Sequence, residues 1–190
     1  ELRFDDEREF TLIAQDLGFL PQGQKRNVIT LAPSERVEIL VDLNDGENVI
    51  LITGKKRGIL DNISHFFGSD GELIDNRILE LRPEGLAGAF EKKEQTWQFN
   101  TDAPSLLSAN VQQERAFYLD TNNATINQKR FDPRRLDVSA ALGSVERWHL
   151  SASSPVGFNM VGAKFIVESV NDKPLAQNEI GWKDSVLING

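Results

Sequence analysis

The chain has 190 residues, 39% hydrophobic and 8% aromatic, enough to bury a substantial core and without the composition of a disordered segment. Twenty-nine acidic residues against 21 basic ones leave a net charge of −8, which opposes attraction to phosphate backbones and anionic lipid; no nucleic-acid partner is expected. The absence of cysteine excludes disulfides, thiolate nucleophiles and thiolate metal ligands from these residues, and no apolar run approaches the ~18 residues of a membrane span.

In chain order, the first half reads as strands. Phe10–Ala14 is short and apolar, and Gln15–Gly18 predicts a turn. Arg36–Leu43 places Val37, Ile39, Val41 and Leu43 on one face at period two. Asn44-Asp-Gly46 then predicts a tight hairpin returning through the apolar strand Val49–Ile52. Ile59–Phe67 fits either a short helix or a covering loop. Ile78–Leu81 reads as one more strand, closed by Arg82-Pro83, and the polar, mixed stretch 83–114 reads as a linker. The pattern restarts at Ala116–Leu119, turns at Asp120–Asn123, and continues in Gly143–Leu150, with Trp148 and Leu150 on one face. Lys164–Val170 predicts a further strand ending in a turn at Asn171-Asp172. Short strands at roughly ten-residue spacing, without a βαβ rhythm, predict an all-β sandwich or barrel; a mixed α+β domain is the other class considered. Two domains are expected, over 1–82 and 115–190.

A search for chemistry finds little. His65 and His149 are far apart and belong to no chelating pair spacing. Gly54-Lys-Lys-Arg-Gly58 lacks the phosphate-loop spacing, and no nucleophile elbow or dinucleotide fingerprint is present. Asp5-Asp6-Glu7 reads as a solvated run; Asp16, Asp120 and Asp132 sit beside turn residues, where aspartate hydrogen-bonds locally. The densest basic spot is Arg130-Phe-Asp-Pro-Arg-Arg135; Arg130, Arg134 and Arg135 are the candidate contacts for an acidic partner, against the default of a surface turn. By its own residues the chain reads as non-catalytic, with no cofactor.

Several stretches fall into one ordered pattern. Asp16-Leu-Gly-Phe-Leu20 and Leu31-Ala-Pro-Ser-Glu-Arg-Val-Glu-Ile-Leu-Val-Asp42 resemble the second domain of three-domain multicopper oxidases. Ile126–Asp132, Gly143–Trp148 and Gly181-Trp-Lys-Asp-Ser-Val186 resemble the opening two thirds of the third. The resemblance implies cupredoxin-like Greek-key β-sandwiches: the C-terminal part of one over 1–82, a linker over 83–114, and the N-terminal part of another over 115–190. In copper enzymes of that family a histidine triplet precedes a Gly and a strand ending in Phe. Aligned on Gly162 and Phe165, the ligand positions fall on Val156, Asn159 and Val161, and none can replace an imidazole.

A cupredoxin-like chain without ligands is similar to the SufI/FtsP family of bacterial cell-division proteins. Asp16–Leu20, Leu31–Arg36, Leu81-Arg-Pro83 and Trp182-Lys-Asp184 resemble that branch rather than laccases. The resemblance implies a periplasmic protein, exported folded by the twin-arginine route, without oxidase activity or metal, that stabilises the division machinery through protein contacts. Family members can keep one histidine in the degenerate loop; here even that is absent. The alternatives are a copper oxidase whose ligands lie outside these residues, and an assembly or storage module unrelated to division. The start at Glu1 without Met and the family pattern predict a piece of a longer protein, with incomplete sandwiches whose edges pair strands or swap domains between copies.

Overall fold

The computed structural model describes residues 1–54, 76–85 and 96–189. Its order is all-β, with thirteen strands and two short 3-10 helices, Ala103–Ser108 and Gln177–Glu179, among the described residues. The strands are β1 Leu2–Phe4, β2 Phe10–Gln15, β3 Gly18–Arg26, β4 Val37–Val41, β5 Val49–Thr53, β6 Arg77–Leu81, β7 Gln113–Asp120, β8 Thr125–Ile126, β9 Glu146–Ala152, β10 Val156–Asn159, β11 Ser169–Val170, β12 Lys173–Pro174 and β13 Ser185–Ile188. They form three-stranded sheets in the orders β1-β5-β6, β3-β2-β4 and β8-β7-β9, and the pairs β10-β13 and β11-β12. No helix among the described residues is long and apolar enough to cross a membrane.

The chain divides into two compact units: Glu1–Leu12, Gln24–Leu31 and Ile39–Thr96; and Ile13–Gly23, Ala32–Glu38 and Trp97–Gly190. In the first, the period-two apolar pattern does what it should. Phe4, Phe10 and Val49 are buried, and Ile39, Val41, Leu43, Leu51 and Leu81 close over them from opposite sides. Phe4 and Phe10 meet edge to face, with ring centroids 6.1 Å apart. Arg8 reaches from the β1–β2 connection to the Asp42 carbonyl at 2.7 Å and to Asp45 Oδ2 at 2.9 Å. These bonds pin the turn at Asn44–Gly46.

That turn forms, with Gly46 at φ 75° and its N–H bonded to the Leu43 carbonyl at 3.1 Å, but it does not join a hairpin. β4 lies in the sheet with β2 and β3, whereas β5 pairs with β1 and β6, so the connection crosses from one sheet to the other. The predicted β4–β5 hairpin is thereby corrected: the apolar faces of both strands turn toward one core instead of lying in one sheet. Ile59–Phe67, Gly54–Gly58 beyond Gly54, and His65 lie outside the described residues.

In the second unit, β7 and β9 run parallel, in register from Gln113 with Glu146 to Leu119 with Ala152. β8 pairs antiparallel on the other edge of β7. Leu119, Ala152 and Ile188 are buried, with Phe117, Leu150, Val156, Phe158 and Val186 packed against them. The expected strand over Lys164–Val170 is mostly absent. Phe165 makes a single bridge to Lys183, and only Ser169-Val170 pair, with Lys173-Pro174 across the turn at Asn171-Asp172. The 3-10 segment inside the stretch read as a linker is held down: the Gly23 N–H bonds the Trp97 carbonyl and the Phe99 N–H the Pro21 carbonyl, at 2.9 and 3.0 Å, and Ala103 is fully buried. Phe19 and Phe99 stack there, with centroids 4.6 Å apart.

Candidate functional site

Three stretches remote in sequence meet in the second unit: the turn after β2, the loop entering β4 and the residues entering β13. Each brings charge. Asp16 closes the first turn at φ 29°, a left-handed conformation that aspartate tolerates, and its side chain is 0% exposed. Its Oδ1 accepts the Arg36 N–H at 2.9 Å; its Oδ2 lies 3.1 Å from Lys183 Nζ and accepts the Ser185 N–H at 3.4 Å. Lys183 also reaches Glu35 Oε1 at 3.2 Å, and Glu35 Oε2 takes the Ala32 N–H at 2.8 Å. The Arg36 guanidinium forks onto Asp184, at 2.7 and 2.9 Å, and donates to the Asp16 carbonyl at 3.0 Å. The fork holds the Asp184 carboxyl below the usual carboxylate range and raises Arg36 in turn.

Both oxygens of all three carboxylates have a donor. The arrangement therefore fixes strands. From sequence, Asp16 reads both as a turn residue and as the start of a family-like motif, and Glu35, Arg36, Lys183 and Asp184 read as parts of such motifs. The sequence signal was that each of those motifs carries a charge where its strand begins or ends.

This network borders the loop from Val156 to Val161, where the resemblance places the expected ligand positions. β10 pairs with β13 from Val156 opposite Ile188 to Asn159 opposite Ser185, so the loop is framed as a strand and turn. Val156 is half-buried against Leu119, Ala152 and Ile188. Asn159 Nδ2 donates to Ser185 Oγ at 2.7 Å, and Ser185 Oγ donates to Asp184 Oδ1 at 2.9 Å. Val161 is 92% exposed, just before Gly162 at φ 80°. Gly157 passes close under Pro33, where an added Cβ would sit 3.6 Å from its carbonyl oxygen.

Val156 and Val161 have no donor atom, and a neutral amide oxygen such as that of Asn159 is a weak ligand for copper, so these three side chains do not fit a copper ion. His149 lies on β9, its side chain 3.5 Å from Glu114 Oε2 and largely exposed. Among the described residues, no group of three or more His, Asp or Glu is placed to hold a metal.

The three arginines do not converge. Arg135 folds inward, donating to Asp137 at 2.8 Å and to the Arg130 carbonyl at 2.7 Å. Arg134 points out, 3.6 Å from Asp132. Arg130 is exposed. A groove of about 590 Å³, not anticipated from sequence, opens beside β9 and β13, lined among others by Trp148, Leu150, Phe158, Phe165 and Val186. On its polar rim Arg147 bridges Glu114 and Glu168, at 2.7 and 2.9 Å.

No protein-family model matches the chain. It is 87% identical over 190 residues to the cell division protein FtsP of Aggregatibacter aphrophilus and 54% identical over 190 residues to that of Histophilus somni. To the Haemophilus influenzae protein of the same name it is 47% identical over 188 residues. The chain spans 40% of the length of each of these relatives. Among solved structures it superimposes with a TM-score of 0.74 and 29% identity on a laccase-like multicopper oxidase from Ochrobactrum sp., covering 100% of this chain and 43% of that one. A multicopper oxidase from Campylobacter jejuni matches with a TM-score of 0.71 at 17% identity, over 99% of this chain and 42% of that one, which establishes the fold alone. Cupredoxin-like in fold, and matched along its whole length by cell division protein FtsP, the chain belongs to the FtsP family.

Proposed function

We propose that the chain contributes to a periplasmic cell-division protein that stabilises the division machinery by protein contact and catalyses nothing. The observation that carries this reading is the 87% identity of all 190 residues to a protein named for cell division. The donor-free loop supports it: Val156, Asn159 and Val161 stand at degenerate copper-ligand positions, and the neighbouring charges are spent on holding strands. In this reading 1–82 and 115–190 are parts of successive cupredoxin-like domains, joined through 83–114, and the division proteins are met through surfaces rather than a pocket. β6 supports intermolecular strand pairing as well. Among the described residues it lies at the end of the order β1-β5-β6 with Ile78 and Leu79 half-exposed, an edge that a second copy can extend.

A copper oxidase is the second reading, favoured by the Ochrobactrum neighbour. Copper per molecule after copper loading, with phenol oxidation assayed on the same sample of the polypeptide as the cell makes it, separates the two. The expected result is no bound copper, no turnover, and rescue of division in a strain lacking the protein. Stoichiometric copper with turnover would overturn the contact reading.

A further inference from the structure

We propose that the loop from Lys129 to Asp137 is a preformed docking tip for an acidic protein segment carrying an apolar anchor. The proposal rests on the contact function above and assigns it a surface and a partner chemistry.

The loop leaves β8 and leads toward β9, and its inner side is braced. Ile126 and Lys129 exchange both backbone hydrogen bonds at 3.0 Å. Arg135 closes the base by donating to the Arg130 carbonyl and to Asp137, whose Oδ1 also lies 3.3 Å from Lys129 Nζ. Asp132 caps the bend, its Oδ1 taking the Arg134 N–H at 3.0 Å and its carbonyl the Arg135 N–H at 3.1 Å. Lys129, Arg135, Asp132 and Asp137 thereby all take part in holding the shape.

What remains points outward. Phe131 is 89% exposed and Leu136 82%. The Arg134 side chain is 90% exposed with only the loose contact to Asp132, and Arg130 has no ion pair among the described residues. One phenylalanine or leucine alone on a surface means nothing. An aromatic and a leucine within six residues, flanked by two outward arginines on a braced loop, have the composition of an interface centre, where aromatic residues and arginine are enriched. Because the loop is already shaped, binding costs little ordering entropy.

Charge selects the occupant. Residues 129–137 hold four cations (Lys129, Arg130, Arg134, Arg135) and two carboxylates (Asp132, Asp137), a local +2 on a chain of −8. An anionic bilayer meets the whole surface and is repelled by it. A short acidic segment docking at the tip feels mainly the local charge, since exposed charges beyond about 10 Å are screened.

The test places a photo-cross-linking residue at Phe131, in the polypeptide as the cell makes it, with Val161 as an equally exposed control. The expected result is an adduct to another polypeptide at 131, absent at 161, whose linked peptide is rich in Asp and Glu and apolar at its centre. Arg130→Glu with Arg134→Glu should cut the yield about tenfold, the cost of truncating interface arginines, with tryptophan fluorescence unchanged. An adduct within the protein's own chain, or equal yields at both positions, would overturn the proposal. So would arginine-dependent binding to vesicles of phosphatidylethanolamine and phosphatidylglycerol. If the tip fails while the charge-reversed variant still rescues division, only the surface assignment falls; loss of rescue by the unmodified protein would instead remove the function itself.

Discussion

Asp16→Asn is the sharpest test of how the motifs hold the second unit together. Asparagine is nearly isosteric and equally at ease at φ 29°, so the backbone is not perturbed and the change removes the charge and one of the two acceptor oxygens. In the parent, Asp16 is fully buried between the Arg36 and Ser185 N–H groups and Lys183, which is itself only 12% exposed. Breaking a buried ion pair by neutralising one partner costs about 3–5 kcal/mol. Lys183 keeps Glu35 at 3.2 Å, so the cost falls just below that range, and about 2.5 kcal/mol is expected. With a urea dependence of about 2 kcal/mol per molar, the unfolding midpoint should fall by roughly 1 M. Tryptophan fluorescence is the assay, because Trp97, Trp148 and Trp182, the only tryptophans, all belong to the second unit. Adding Lys183→Met to Asp16→Asn should recover much of the loss, since the stranded ammonium is then gone. A midpoint within about 0.2 M of the parent for Asp16→Asn, well below the shift the buried-pair cost predicts, would refute the view that this network clamps the unit.

Two further outcomes follow from the ion pairs and the sheet edges of the protein. Arg115, with help from the Trp148 indole N–H, holds the Glu146 carboxyl down to about 2 from an ordinary value of 4.5. The unfolded chain therefore takes up this proton first, so the stabilisation is present above about pH 4.5 and lost as pH falls toward about 2. Urea midpoints read by fluorescence should decline across that window, and Glu146→Gln should flatten the decline; an unchanged slope would remove Glu146 from the account. Sizing the purified 190-residue chain should reveal a dimer or larger species that Ile78→Lys with Leu79→Lys returns to monomer. A monomer from the unmodified chain at high concentration would sink the strand-pairing proposal.

The legible parts of this fold were those set by local pattern. The alternation of Val37, Ile39 and Val41 appears as inward and outward faces of β4, and Asn171-Asp172 turns where it should. What local pattern does not encode is which strand lies beside which. Asn44–Gly46 specifies a turn equally well whether the next strand joins the same sheet or faces it across the core, and here the chain crosses. The parallel pairing of β7 with β9 was hidden for the same reason, its partners standing 33 residues apart with no helix between to announce a crossover. In Lys164–Val170 the apolar residues suggested a strand, but Phe165, Ile166 and Val167 line the groove, and the pairing there is the single bridge from Phe165 to Lys183. At the site, the turn at Gly162 after the apolar run from Val156 was legible in the sequence. The sequence could not tell that Asp16, Glu35, Arg36, Lys183 and Asp184 are neighbours, since each satisfies a local role that explains it by itself.

The bond between Asp16 and the Ser185 N–H joins residues 169 positions apart. During synthesis at about 5–20 residues per second, Asp16 emerges roughly 8–34 s before its last partners exist. Until then its carboxylate must stay hydrated, and the sheet of β3, β2 and β4 lacks its tie to the residues entering β13. Closure of this unit is therefore a late, all-at-once event that local helix or hairpin formation cannot anticipate, as expected when non-local contacts dominate. A substitution in the network should lower the yield of folded protein in the cell by lengthening that unprotected interval, even under conditions where the finished molecule tolerates it.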